Sequence, residues 1–165
     1  MMTNQNFKAM DAILTTVSGG GMAAGISLAA KALNSSIKII LVQPVGKNLS
    51  ECLKAGERKW ANPPQFLNTI AEGIRNQQVG KLAFPILCDL AEHDVITVTD
   101  DEMVEGMRIV AERMKLVIEA SAGAVVAAAM FKLSDVVTKW PHITNIGVVL
   151  CGGNTDLNNF PWISK

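Results

Sequence analysis

Tyrosine is absent from this sequence, and three tryptophans with five phenylalanines make up the whole aromatic complement. Alanine and glycine are plentiful instead, a mix that suits helices packed closely on a sheet and not a β-sandwich. Net charge is missing too, since fifteen Lys and Arg balance fifteen Asp and Glu. The electrostatic footprint of a nucleic-acid binder or a peripheral membrane protein is therefore lacking, and a small or neutral partner is expected. No run reaches the roughly 18 apolar residues of a membrane helix. Residues 1–10 carry Asn, Gln and Lys where a targeting signal needs an apolar stretch. Cys52, Cys88 and Cys151 are odd in number and share no C-x-x-C spacing, which argues against a disulfide framework or a zinc knuckle and for a reducing, cytoplasmic setting. His93 and His142 lie far apart without a helical partner, so they read as loop or surface imidazoles and not as metal ligands.

What remains is a chain that wants an interior. Half of its 165 residues (49%) are hydrophobic, 18% are charged, and mean hydropathy is +0.27. At this length a single domain buries roughly two-thirds of its unfolded surface. The run Ala12 to Val17 is short, apolar and β-branched; it stops at Ser18-Gly19-Gly20-Gly21, after which Met22 to Leu33 has few helix breakers. Ile37 to Val42 is a second hydrophobic strand, and the pair makes a βαβ unit with a buried parallel sheet. Ser50 to Ala55 can start a helix, whereas Trp60 to Pro64 reads as irregular chain because its prolines exclude a helix interior or a central strand. A helix over Leu82–Ala91 with Pro85 in its first turn follows, then a strand at Val95–Val98.

Thr99-Asp100-Asp101-Glu102 matches a capping box and opens a helix to about Lys115. Its residues Met103, Met107, Val110, Ala111 and Met114 recur every three or four positions and read as core packing. Ser121 is placed as the cap of a helix over Ala122–Leu133, and Ile146–Leu150 is a last buried strand ending at Cys151-Gly152-Gly153-Asn154. The expected fold class is α/β: three layers, a mostly parallel sheet flanked by helices, one domain over residues 1–165.

Both glycine turns fall at carboxyl ends of strands, where ligands sit in open α/β sheets. Ser18 to Gly21 leads straight into a helix, so successive N–H groups and the positive end of the helix dipole can face one anion, a phosphate by preference. The alternative is a tight turn that simply needs glycine. Gly19-x-Gly21-x-x-Ala24 satisfies the dinucleotide fingerprint, but Gln43 stands where the ribose-binding acid belongs. Gly20-x-x-x-x-Gly25 is followed by Ile26-Ser27 without the lysine of a Walker loop. Neither nucleotide motif is complete.

The segments Asp11–Leu14, Ser18–Gly25, Thr69–Gly73, Val98–Glu102, Glu112–Glu119 and Cys151–Asn154 together resemble serine racemase and threonine dehydratase, fold-type II (tryptophan synthase β-like) enzymes dependent on pyridoxal 5'-phosphate (PLP). The resemblance runs in order through nearly the whole chain, yet matches only the C-terminal half or so of a full-length member. It implies that Ser18, Gly19, Gly20, Gly21 and Met22 cradle the cofactor's phosphate. It sets Cys151 against the pyridine nitrogen, Gly73 at the cofactor's edge and Glu119 in the wall of the site. A thiol is a weak hydrogen-bonding partner for that nitrogen and too weak an acid to keep it protonated, which damps the electron sink. Lys115 and Asn154 match positions that contact a nucleotide effector in animal serine racemases. The implied chemistry is serine racemisation, and dehydration of serine or threonine to the 2-oxo acid and ammonia.

Two departures limit that expectation. The lysine that links to the cofactor sits in a Ser-x-Lys-x-Arg-Gly segment of the family, and none of the eleven lysines here has that context. The chain is thus expected to be a truncated form carrying half of an active site and inactive alone, with a small amino acid (serine or threonine) and a second copy or a full-length homologue as the expected partners. The other reading of the same residues is a non-catalytic truncated homologue that binds PLP or phosphate weakly or associates with a full-length relative; a Rossmann-type nucleotide binder is the third. The family's divalent metal site (Mg or Ca) meets Gln43, Lys47 and Leu49 here. It is expected to be lost unless Glu51 is recruited, because a hard cation wants anionic oxygens.

Overall fold

A computed structural model describes residues 10–158 and 160–163; the N-terminal residues 1–9, with Lys8 among them, lie outside it. Four parallel strands form one sheet in the order β3-β2-β1-β4: β1 (Ala12–Thr16), β2 (Lys38–Pro44), β3 (Ile96–Val98) and β4 (Ile146–Val148). All five residues of β1 are buried, as are six of the seven in β2. Burial on both faces explains why these strands read as continuous apolar runs and not as alternating ones.

Alternate residues feed two separate cores. Ile13, Ile39 and Leu41 pack with Ala23, Ala24 and Ala30 of α1 (Gly21–Leu33), Leu53 of α2 (Leu49–Ala55) and Leu87 of α3 (Ala83–Leu90). Leu14, Ile40 and Val42 face the opposite layer. They meet Met103 and Met107 of α4 (Asp100–Ile109), Ala124, Val125 and Ala128 of α5 (Ala120–Phe131) and Val136 of α6 (Leu133–Lys139). The molecule has the expected three-layer α/β architecture.

The capping box forms as the sequence specifies. The Thr99 hydroxyl accepts from the Glu102 N–H at 3.3 Å, and the Glu102 carboxylate accepts from the Thr99 N–H at 2.8 Å. Helices α4 and α5 then cross where glycine meets glycine. A Cβ on Gly106 would lie 2.6 Å from the Gly123 carbonyl oxygen, and one on Gly123 would lie 2.6 Å from that of Met103.

Four local expectations need correction. The last strand is shorter and not buried: β4 covers Ile146–Val148 at the edge of the sheet, with one neighbour, and Val148 is exposed. Ser121 does not cap α5: the helix begins at Ala120 with Glu119 as its extended N-cap residue, whose carbonyl takes the Ala122 and Gly123 N–H groups. Met114 leaves the buried stripe and is 55% exposed. The reason is a wider π turn over Val110–Met114, which shifts the register before Lys115 ends it with φ +58°. Finally, α5 stops at Phe131 and a separate α6 follows, bent by 60°. The β-branched Val136-Val137-Thr138 gave that helix no signal. Among the described residues no single helix is long and apolar enough to cross a membrane.

Candidate active site

The chain leaves β1 through Val17, whose N–H still donates to the Val42 carbonyl at 3.1 Å, and then turns sharply into α1. Gly20 makes the turn at φ +92°, and a Cβ there would sit 2.7 Å from Val79 Cγ1. Both backbone angle and space demand glycine. The two peptide planes before α1 are held by their carbonyls: Ser18 O accepts from Lys47 Nζ at 2.9 Å, and Gly19 O accepts from the Gly80 N–H at 2.8 Å. Carbonyl and N–H point oppositely across a trans peptide, so the Gly19 and Gly20 N–H groups face the other way. Neither has a partner among the described residues.

Helix α1 offers nothing of its own to satisfy them. It has no side-chain cap and no acid in its first turn, in contrast to α4 with its capping box and three acids. The positive end of its dipole is left uncompensated and faces a cleft of about 180 Å³. At Gly19 and Gly21 a Cβ would meet nothing within 4 Å, so the front of the turn is open.

Ser18, Gly19, Gly20, Gly21, Met22, Gly73, Glu119 and Cys151 all line this one cleft, drawn from four separate stretches of sequence. Thr16 and Ser121 line it as well, in roles that no local sequence signal announces. Thr16, the last residue of β1, puts its hydroxyl 3.3 Å from Cys151 Sγ. Ser121 fixes the opposite wall by accepting the Gly73 N–H at 3.0 Å. The carboxylate of Glu119 explains two glycines at once. A Cβ on Gly152 would lie 2.5 Å from its Cδ, and one on Gly73 would lie 2.9 Å from its Oε1. It also accepts the Asn154 N–H at 3.1 Å. Asn154 lines an adjoining cleft of about 690 Å³ that shares Gly73, Glu119 and Ser121. Lys115 lines neither cleft; its ammonium donates to the Glu112 carbonyl at 2.7 Å.

The cleft fits PLP: unpartnered N–H donors with an open front at one end suit a phosphate, and the Cys151 thiol on the wall beside Thr16 suits a heterocycle nitrogen. The place of the family's divalent cation does not fit one. Gln43 Oε1 already accepts the Leu49 N–H at 3.1 Å while its amide donates to Thr97 Oγ1 at 3.0 Å. The Lys47 carbonyl accepts the Trp60 indole N–H at 2.6 Å, Leu49 is an apolar side chain, and Glu51 is exposed on α2. No cluster of three or more His, Cys, Asp or Glu side chains suited to a metal occurs among the described residues. Lys47 itself is fully buried, its ammonium turned to Ser18 O and to Asn76 O, and burial pushes its pKa down to about 8.

A family model described as pyridoxal-phosphate dependent enzyme matches residues 1–152. The chain belongs to this family. It is 38% identical over 160 residues to serine racemase of Rattus norvegicus, covering 94% of this chain and 45% of that one. A solved pyridoxal 5'-phosphate-dependent aspartate racemase shares 51% identity and superposes with a TM-score of 0.91 over 96% of this chain and 48% of that one. The processed form of threonine deaminase isoform 2 from Solanum lycopersicum shares 25% identity with a TM-score of 0.77, over 94% of this chain and 43% of that one. The chain spans a little under half the length of the curated relatives it matches. Among the described residues no lysine lines either cleft of this PLP-family chain.

Proposed function

We propose that this chain supplies the phosphate-binding half of a serine racemase-like enzyme that acts on a small α-amino acid. The observation that carries the reading is the pair of N–H groups at Gly19 and Gly20, unpartnered among the described residues, in a turn that lines the same cleft as Cys151. In this reading the N–H groups of Gly19 to Gly21 and the Ser18 hydroxyl hold the phosphate, aided by the α1 dipole. Cys151, steadied by Thr16, meets the pyridine nitrogen through a weak thiol contact. Gly73 leaves room at the cofactor's edge, and Glu119 keeps the Cys151–Asn154 turn in place. PLP, when bound, stabilises the charge that develops at the substrate Cα after proton removal. Return of the proton to the other face racemises the amino acid; loss of a β-hydroxyl instead leads to the 2-oxo acid and ammonia.

Serine and threonine are the proposed substrates. The aspartate named for the 51%-identical relative makes that dicarboxylate the competitor to assay beside them. The lysine that links to PLP and moves the proton is supplied from outside these 165 residues. The absence of lysine from the cleft lining favours a second reading of the isolated chain, a holder of PLP without turnover. Incubation with PLP tests both: saturable retention is expected without a borohydride-fixed bond to lysine and without pyruvate from serine. A stoichiometric bond to one lysine of this chain would overturn the division of labour, and failure to retain PLP would overturn the reading.

A further inference from the structure

Lys47 stands out as a buried charge that the proposed chemistry leaves unused. It follows Gly46, which turns the chain off β2 at φ +89°, and its side chain is fully buried. Among the described residues no carboxylate meets it; its hydrogen bonds go to two carbonyls, Ser18 O and Asn76 O. Burying an ammonium without a counter-charge is costly. A chain that only needed to fill this space would do so more stably with an apolar side chain.

We propose that Lys47 is a positioning residue that presets the anion cradle from behind, as a built-in cation requiring no metal. Two effects combine. The ammonium fixes the Ser18 carbonyl, and through the rigid peptide plane it turns the Gly19 N–H into the cleft. Gly80 does the same one residue on with a neutral N–H, turning Gly20. The second effect is charge. A carbonyl that accepts a charge-assisted bond polarises its own peptide and strengthens the N–H on the far side, and the buried positive charge behind the loop favours an anion in front of it. The same ammonium ties the loop to Asn76, two residues beyond Ile74 of the cleft lining. The Lys47 backbone is locked in turn by Trp60, whose indole N–H donates to its carbonyl. The divalent-cation position beside it, with its oxygens taken up by internal hydrogen bonds, has no part in holding this loop.

The inference rests on the phosphate-cradle reading, and the test separates the two by using inorganic phosphate as one probe and PLP as the other. The 165-residue chain is compared with Lys47→Met, which keeps length and removes charge, and Lys47→Arg, which restores charge. Expected is a loss of about tenfold or more in phosphate affinity for Lys47→Met, with substantial recovery in Lys47→Arg, since a charge-assisted hydrogen bond carries at least that much. Wild-type affinity is expected to be the same in EDTA as in excess magnesium. Equal phosphate affinity in wild type and Lys47→Met overturns the proposal, as does a wild-type affinity that collapses in EDTA. If Lys47→Met does not fold, the wild-type ammonium decides: its Nζ resonance should exchange slowly with water and move on phosphate addition. A resonance that ignores phosphate overturns it. Phosphate binding without PLP retention breaks the proposed function alone, and unchanged PLP retention by Lys47→Met breaks this inference alone.

Discussion

The two glycine turns, Ser18–Gly21 after β1 and Cys151–Asn154 after β4, look alike in sequence and are built for opposite reasons. In the first, glycine is needed at Gly20 for a left-handed backbone, while Gly19 and Gly21 open onto empty space. In the second, Gly152 and Gly153 are glycine because protein is already there: the Glu119 carboxylate lies 2.5 Å from one absent Cβ and the Val117 carbonyl 3.0 Å from the other. One turn faces open space that a ligand can fill, and the other is packed against Glu119, which also accepts the Asn154 N–H. A pair of glycines at a strand end is thus not by itself a sign of ligand binding. Whether the space in front of the backbone is open or already filled by protein is what distinguishes the two.

Substitutions should separate these roles. The largest effect is expected at Gly20→Ala, where a positive φ and a clash with Val79 and Ala83 add to about 2–4 kcal/mol of lost stability together with lost phosphate binding, measurable by chemical unfolding and titration. Lys47 comes next. Its folded pKa of about 8 lies below the ordinary 10.5, so the unfolded chain binds more protons between those values. Stability should therefore rise as pH goes from about 8 to 10.5, by about 3 kcal/mol at most, and the rise should vanish in Lys47→Met. Gly152→Ala should cost about 1–3 kcal/mol by overpacking, and much less in a Glu119→Ala background, a coupling that a double-mutant cycle reads directly. The smallest change in stability is expected at Gly19→Ala, within about 0.5 kcal/mol, although its new methyl enters the cleft and weakens phosphate binding. A Gly19→Ala chain that unfolds while Gly152→Ala binds phosphate poorly and melts normally would reverse the comparison.

Much of this is legible in the sequence because the decisive signals are local. The βαβ unit follows from two apolar runs and a glycine turn, and the α4 cap from four adjacent residues. Eight of the residues suggested for the cofactor site do share a cleft, since family resemblance aligns segments that the sheet brings together. The sequence is silent wherever a group acts across the fold. Ser121 reads as a cap because serine before an alanine run favours one, yet its hydroxyl is committed to Gly73 on another segment. Thr16 looks like one more β-branched strand residue, with nothing nearby to announce Cys151, 135 positions on. In sequence Lys47 is only a charge hostile to a metal. Its reach to Ser18 and Asn76 depends on where β2 lies beside β1, which spacing alone does not encode.

The central claim is that the turn after β1 is a preformed anion cradle and the turn after β4 is not. An amide NMR titration of the 165-residue chain with inorganic phosphate addresses it residue by residue. The account predicts saturable shifts of the Gly19 and Gly20 amides, as their free N–H groups take hydrogen bonds, with Gly152, Gly153 and Asn154 unmoved. Gly19 and Gly20 resonances that stay still at saturating phosphate, or shifts confined to residues 152–154, would contradict it.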